Sequence, residues 1–255
     1  MHRTFAAGLA CGWLILSAAC GPACAATKIE SLPHRITAPG RYELAGDLAF
    51  PAATGAAIVI EASDVTLDLA GHTISGTAGD ATAAVGILAV DRRNITLTGG
   101  RISGFYFGVD IRATSRTEPS SGGHRLSQLI LEKNRYFGIR LEGTESEIIA
   151  CRIADTGGST RPGHTIPHAV RMVGAKNSLR DSCVENMILT RLPDGKGEIV
   201  AVHFDAASGS VLQNNTLIES VDGADTAIPA DDHRERRFGA WVNGGPQRAT
   251  CLTAT

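Results

Sequence analysis

A run of alternating residues, DVTLDLAGHTISG at 64–76, returns at 94–104 as NITLTGGRISG, and this echo constrains the fold more than any other feature of the chain. Each copy places apolar residues at every second position, turns on glycine, and closes with one more short strand. Val65, Leu67, Leu69 and Ile74 form the apolar set in the first copy; Ile95, Leu97 and Ile102 form it in the second. Period-two alternation over so few residues predicts short strands with one buried face. Such a unit cannot bury that face alone and must stack on copies of itself.

A third short strand recurs beside these. It reads AIVIE at 57–61, GILAV at 86–90, GVDIR at 108–112, GIRLE at 138–142, AVRMV at 169–173, AVHFD at 201–205 and GAWVN at 239–243. The starting residues are separated by 29, 22, 30, 31, 32 and 38 positions, while the strand keeps its length. Insertions therefore fall in loops, which is how solenoids grow. The sequence predicts an all-β solenoid of about seven coils. With its NxTLDLxGHTISG-type motif, it resembles the right-handed parallel β-helix proteins of the pectate-lyase-like superfamily, over about residues 37–243. The resemblance implies three strands per coil and a site on the outside of one sheet. It implies no particular activity, because that fold carries lyases, epimerases, hydrolases, esterases, tailspikes and proteins without known chemistry.

The chain opens MHRTFAAGLACGWLILSAACGPACA, with Arg3 ahead of an apolar run and Ala23-Cys24-Ala25 behind it. This reads as a secretory signal over 1–25, cleaved after Ala25. Gly and Cys interrupt the apolar run, which is short for a membrane span, so no stable insertion is expected after cleavage. Cys20 is a weaker lipoprotein candidate, since Ser17 stands three residues before it. The expected location is extracytoplasmic, periplasmic or secreted. Residues 26–56 then form an amino-terminal cap with the first strands, turning at Pro39-Gly40, and 57–255 form the solenoid. Only 5% of residues are aromatic and 29 are glycine, which suits an aliphatic core with tight turns.

Cleavage leaves Cys151, Cys183 and Cys251. Aligning coils places Cys151 inward and Cys183 outward, so no bridge between them is expected. No cysteine or histidine grouping has metal-ligand spacing, and neither metal nor cofactor is expected. A turn column is read as His72, Gly100, Asn134, Cys151, Ser182 and Asn215, an amide-type ladder in which His72 is structural. The column outside it is read as Thr73, Arg101, Arg135, Arg152, Cys183 and Thr216, with three stacked arginines offset by Glu132 and Glu147. Small-residue loops are expected at 76–84 and 113–124, and a charged projecting segment at 219–238. An uncovered carboxy-terminal end would favour end-to-end self-association.

The candidate site lies on the outer face of the recurrent strand. If Ile58, Ile87, Val109, Ile139, Val170, Val202 and Ala240 point inward, then Val59, Leu88, Asp110, Arg140, Arg171, His203 and Trp241 point outward. The next outward column is Glu61, Val90, Arg112, Glu142, Val173, Asp205 and Asn243. Both columns change from aliphatic to charged and aromatic along the stack. Such a face suits an acidic polysaccharide, with Asp110, Arg112, Glu142, Trp241 and Asn243 as binding residues. A lyase or epimerase acting on a uronate would use His203 as base, Asp205 to tune it, and Arg140 and Arg171 to neutralise the carboxylate. A hydrolase would instead need two carboxylates, for which Asp110 with Glu142 or Asp205 are the candidates. The active-site signatures of the superfamily's lyases, esterases, polygalacturonases and epimerases are absent. The alternative expectation is a non-catalytic structural or adhesion-type β-helix. The chain has no GxxxxGK[ST] or GxSxG motif, and a net charge of −2 gives no general attraction to nucleic acid.

Overall fold

The computed structural model describes residues 25–115, 120–163, 166–189, 197–218 and 235–243, with side chains omitted at 197 and 235–238. Every strand pairing is parallel, and the described residues contain no helix. Eight strands stack in one sheet: His34–Ile36, Ala56–Ile60, Val85–Val90, Phe107–Arg112, Phe137–Glu142, His168–Val173, Gly197–Asp205 and Glu235–Val242. The other strands form a thirteen-stranded sheet whose long members, Thr96–Ser103 and Arg125–Glu132, bend around a corner. Beyond them the two halves of that bend are separate strands, such as Glu147–Ile149 and Arg152–Ala154, or Ser178–Arg180 and Cys183–Glu185. Each coil thus has three strands, and the molecule is a parallel β-helix. All seven recurrent strands expected from the sequence hold rungs of the eight-stranded sheet, and His34–Ile36 adds a rung before them.

The inward column has the predicted register: Ile58 pairs with Ile87, Ile87 with Val109, Val109 with Ile139, Ile139 with Val170, Val170 with Val202, and Val202 with Ala240. Ile58, Ile87, Val109, Ile139, Val170 and Val202 are fully buried. Against them pack Leu67, Leu97, Leu126, Ile148 and Leu179 from one flank, and Ile74, Ile102, Leu131, Ile153 and Val184 from the other. Each buried side chain of this size contributes about 1.5–3 kcal/mol.

The corner of the thirteen-stranded sheet is made by left-handed residues, Ala70 and Gly71 in the first coil and then one per coil at Gly99, Gln128, Ala150, Asp181 and Asn214. This corrects the predicted turn column. Gly100 pairs with Leu129, so Leu129 occupies the place assigned to Asn134, and Ile130 the place assigned to Arg135. The sequence RLSQLILE contains no glycine, and Gln128 takes the left-handed turn that Gly99 takes one coil earlier. The predicted run of three stacked arginines is therefore interrupted. Ile130 lies between Arg101 and Arg152, and Glu132 reaches both guanidiniums, at 2.5 and 3.9 Å. Arg135 pairs with Asp80 at 2.8 Å instead.

The remainder of that column is a polar ladder as expected. The Cys151 N–H donates to Ser182 Oγ, and the Ser182 N–H donates to Asn215 Oδ1. Asn215 Nδ2 donates to the Leu179 carbonyl. Asn134 caps a different corner, accepting from the Phe105 N–H and donating to the Ile102 carbonyl. A further ladder, not foreseen, runs through buried His124, Ser146 and Asn177 to half-buried Ser210, each side chain accepting from a backbone N–H of the preceding coil. Cys151 is buried and unbridged, as expected, and burial raises its thiol pKa to about 11. Cys183, also unbridged, is half-buried rather than fully exposed.

Candidate functional site

The outer columns of the eight-stranded sheet fall in the predicted register. Val59, Leu88, Asp110, Arg140, Arg171, His203 and Trp241 are successive partners across the rungs. Val90 pairs with Arg112, Glu142 with Val173, and Val173 with Asp205. Arg171, His203, Asp205, Trp241 and Asn243 come together on three neighbouring rungs. Arg112 is exposed and Glu142 half-buried in the same sheet, and a Glu142 carboxylate oxygen accepts from the Ala113 N–H at 3.3 Å.

Asp110 does not have the open position expected of a binding residue. It is 2% exposed, and both carboxylate oxygens accept from Arg140, from Nε at 2.7 Å and from Nη2 at 2.8 Å. This bidentate pair holds the guanidinium over the Phe107 ring, with Cζ 4.5 Å from its centroid. Asp110 therefore acts through Arg140. Arg171 is held more loosely. One of its nitrogens lies 3.3 Å from Asp205 Oδ2, while its buried Nε has no acceptor in the protein.

Both ring nitrogens of His203 are engaged. Nδ1 lies 3.3 Å from His168 Nε2, and Nε2 lies 3.3 Å from Asn243 Nδ2. His168 Nδ1 is 2.9 Å from the Ile166 carbonyl, which can only accept, so this nitrogen carries the proton and donates. His168 Nε2 is then an acceptor, and His203 donates to it from Nδ1. His203 Nε2 in turn accepts from Asn243, whose Oδ1 accepts from the Trp241 indole N–H at 2.9 Å. The chain of bonds has one direction, and both imidazoles are neutral. Burial is the first cause lowering each histidine pKa, to about 3 for His168; Arg171 adds to the effect on His203, while Asp205 opposes it. The tuning expected of Asp205 is thus outweighed by desolvation.

The sequence reading overlooked an aromatic ladder on this face. Phe107 and Phe137 stack at 5.2 Å, Phe137 and His168 at 4.8 Å, His168 and His203 at 5.3 Å, and His203 and Trp241 at 5.1 Å, all within 19° of parallel. Strict alternation from Val109 and Ile139 puts Phe107 and Phe137 inside. They stand outside because the intervening Gly108 and Gly138 also face inward. A Cβ on Gly108 would come within 3.0 Å of Leu131 Cδ2, and one on Gly138 within 2.7 Å of Ile153 Cγ2. Two successive inward residues reverse the phase of the strand. The signal was present as a recurring aromatic-small dipeptide: Phe107-Gly108, Phe137-Gly138 and His168-Ala169.

The predicted loop at 113–124 is described only in part, and the projecting segment at 219–238 lies outside the described residues apart from the strand backbone from Glu235. No family model matches the chain, and no curated protein matches it. Among solved structures, the chain is similar to the Dettilon tailspike protein (gp208), with TM-score 0.34 and 10% sequence identity. The similarity covers 84% of this chain and 60% of that one, so the chain spans under two thirds of the tailspike's length.

Proposed function

We propose that this is an extracytoplasmic carbohydrate-binding β-helix of the pectate-lyase-like type, and that it holds an acidic polysaccharide along the outer face of the eight-stranded sheet. The supporting observation is the convergence of Arg171, with its unmatched Nε, and Arg140 with the ring and amide edges of His203, Trp241 and Asn243. Guanidiniums suit carboxylates, and Trp241, 37% exposed, offers an apolar surface to a sugar ring. The rungs repeat at about 4.8 Å, so the strip presents a regular row to an extended polymer. Binding is favoured over catalysis because both nitrogens of His203 are engaged and the residue is only 8% exposed.

Retention on immobilised polyuronate, compared with a neutral glycan, tests this reading. Wild-type protein should be retained and released by salt, and Arg171→Gln and Trp241→Ala should each weaken retention while leaving the circular dichroism spectrum unchanged. Equal behaviour on both matrices would sink the proposal. Appearance of an unsaturated uronate product, lost in His203→Ala, would instead establish lyase chemistry. The second reading is a structural or adhesion-type β-helix without a ligand, favoured by the internal pairing of Asp110 with Arg140 and of Asp205 with Arg171.

A further inference from the structure

Two tyrosines at the entry to the eight-stranded sheet take no part in the strip as described. Tyr106 and Tyr136 stand one residue before Phe107 and Phe137 on successive rungs, with rings 5.0 Å apart and 12° from parallel. The segment between Arg152–Ala154 and His168–Val173 brings Arg161 over them, its guanidinium carbon 5.3 Å from the Tyr106 centroid. Next to Arg161, the Thr160 N–H donates to the Asp80 carbonyl of another coil, and the Arg161 N–H donates locally to Ser159 Oγ. Arg140 and Arg161 both act electrostatically on the Tyr106 hydroxyl, and Arg171 and Arg140 on that of Tyr136. Three guanidiniums therefore border one tyrosine pair.

Their compensation is incomplete. Asp110 accepts from Arg140 with both oxygens, Asp205 accepts from one nitrogen of Arg171, and Arg161 has no acidic partner among the described residues. Arg135, nearby in sequence, is already matched by Asp80. Glu142 joins Asp110 in offsetting Arg140, whereas the buried Nε atoms of both Arg161 and Arg171 lack an acceptor in the protein. A buried charged donor left without an acceptor costs free energy that an oxyanion would restore. Burial keeps both tyrosine hydroxyls protonated, so they remain donors at neutral pH.

The geometry points to an oxyanion-binding subsite at the Tyr106–Tyr136 pair, flanked by Arg161 and Arg171, that takes the carboxylate or sulfate group of an anionic glycan. This rests on the reading of the outer face as glycan-binding and extends it onto the flank carrying Arg161. The test is stabilisation of the folded protein by sodium glucuronate and by sodium sulfate at fixed ionic strength, with sodium chloride as reference, alongside retention on polyuronate. Either anion should raise the unfolding midpoint above chloride, and Arg161→Gln should weaken that anion's affinity about tenfold or more, the loss expected for a charge-assisted hydrogen bond. Arg161→Lys should recover part of it. Sulfate stabilises folded proteins generally, so the site is read from the part of each response lost in Arg161→Gln: a larger loss with glucuronate identifies a carboxylate ligand, and a larger loss with sulfate identifies a sulfated one. Indifference of the wild-type protein to both anions, or an Arg161→Gln protein that responds like wild type, overturns the subsite. The two readings fail separately: polyuronate retention unchanged by Arg161→Gln removes the subsite and keeps the strip, whereas an Arg161-dependent anion response without retention keeps the subsite and removes the strip.

Discussion

Replacing Asp110 by valine removes the acid that holds Arg140 while the guanidinium side chain stays 18% exposed on the sheet. Asp110 itself is 2% exposed and accepts two charge-assisted hydrogen bonds, so the pair is close to a buried one. Breaking a buried pair by removing one partner costs about 3–5 kcal/mol, because the remaining charge is left desolvated and unpaired. Arg140 keeps some access to water and its position over Phe107, so the expected cost lies at the lower end, about 3 kcal/mol. The double variant Asp110→Val/Arg140→Leu removes both charges and continues the aliphatic column of Val59 and Leu88, which occupy the same position on the two preceding rungs. Replacing a whole buried pair by apolar residues is often neutral, so the double variant is expected within about 1 kcal/mol of wild type. The difference is a coupling energy measured by a double-mutant cycle, using urea denaturation followed by far-ultraviolet circular dichroism. A single variant that costs under about 1 kcal/mol, or a double variant less stable than Asp110→Val, would refute the claim that Asp110 serves to hold Arg140.

Asn177, fully buried, accepts from the Ser146 N–H and donates to the Gly143 and Gly174 carbonyls. The Gly174 carbonyl also accepts from Ser210 Oγ, so Asn177→Leu strands two backbone groups, the Ser146 N–H and the Gly143 carbonyl. At about 1–3 kcal/mol for each unsatisfied group, the loss should be at least about 2 kcal/mol in the same denaturation assay. For pH, His124 and His168 have folded pKa values lowered by burial to about 4 and about 3, below the ordinary imidazole value of 6.5. The unfolded chain therefore binds more protons than the folded one below pH 6.5. Their contribution is fully present above that value and falls as pH drops towards about 4 and about 3. Where carboxylates are still largely ionised, His168→Phe should remove about half a proton from the slope of stability against pH at about pH 6.5, rising to about one near pH 5. An unchanged slope would contradict the neutral His168–His203 pair. In a Cys251→Ser background of the chain beginning at Ala26, Cys183 should react with a thiol reagent in the native protein and Cys151, 2% exposed, only on unfolding. Simultaneous reaction of both would show the assigned register of the turn column to be wrong.

The sequence by itself determined the coil and the register of the recurrent strand. One-sided strands such as Val65–Asp68 have no stable state except stacked on their own kind, and period-two alternation then assigns inward and outward residues without reference to distant contacts. Hence Ile58 to Ala240 and Val59 to Trp241 were legible as two columns. The corner occupied by Leu129 was not legible, because a left-handed turn at Gln128 costs only about 1–3 kcal/mol and the stacked coils on both sides outweigh it. The aromatic ladder escaped for a related reason: Gly108 and Gly138 face inward, at positions where a Cβ would meet Leu131 and Ile153, and this reverses the alternation that local pattern relies on. What only the tertiary structure decided is the state of the charges. Whether Asp110 is an open carboxylate or the buried holder of Arg140, and whether His203 faces Asp205 or is bonded between His168 and Asn243, depends on distances between rungs 30 to 40 residues apart in the chain. Those distances come from the packing of whole coils, which fixes how far each side chain can reach.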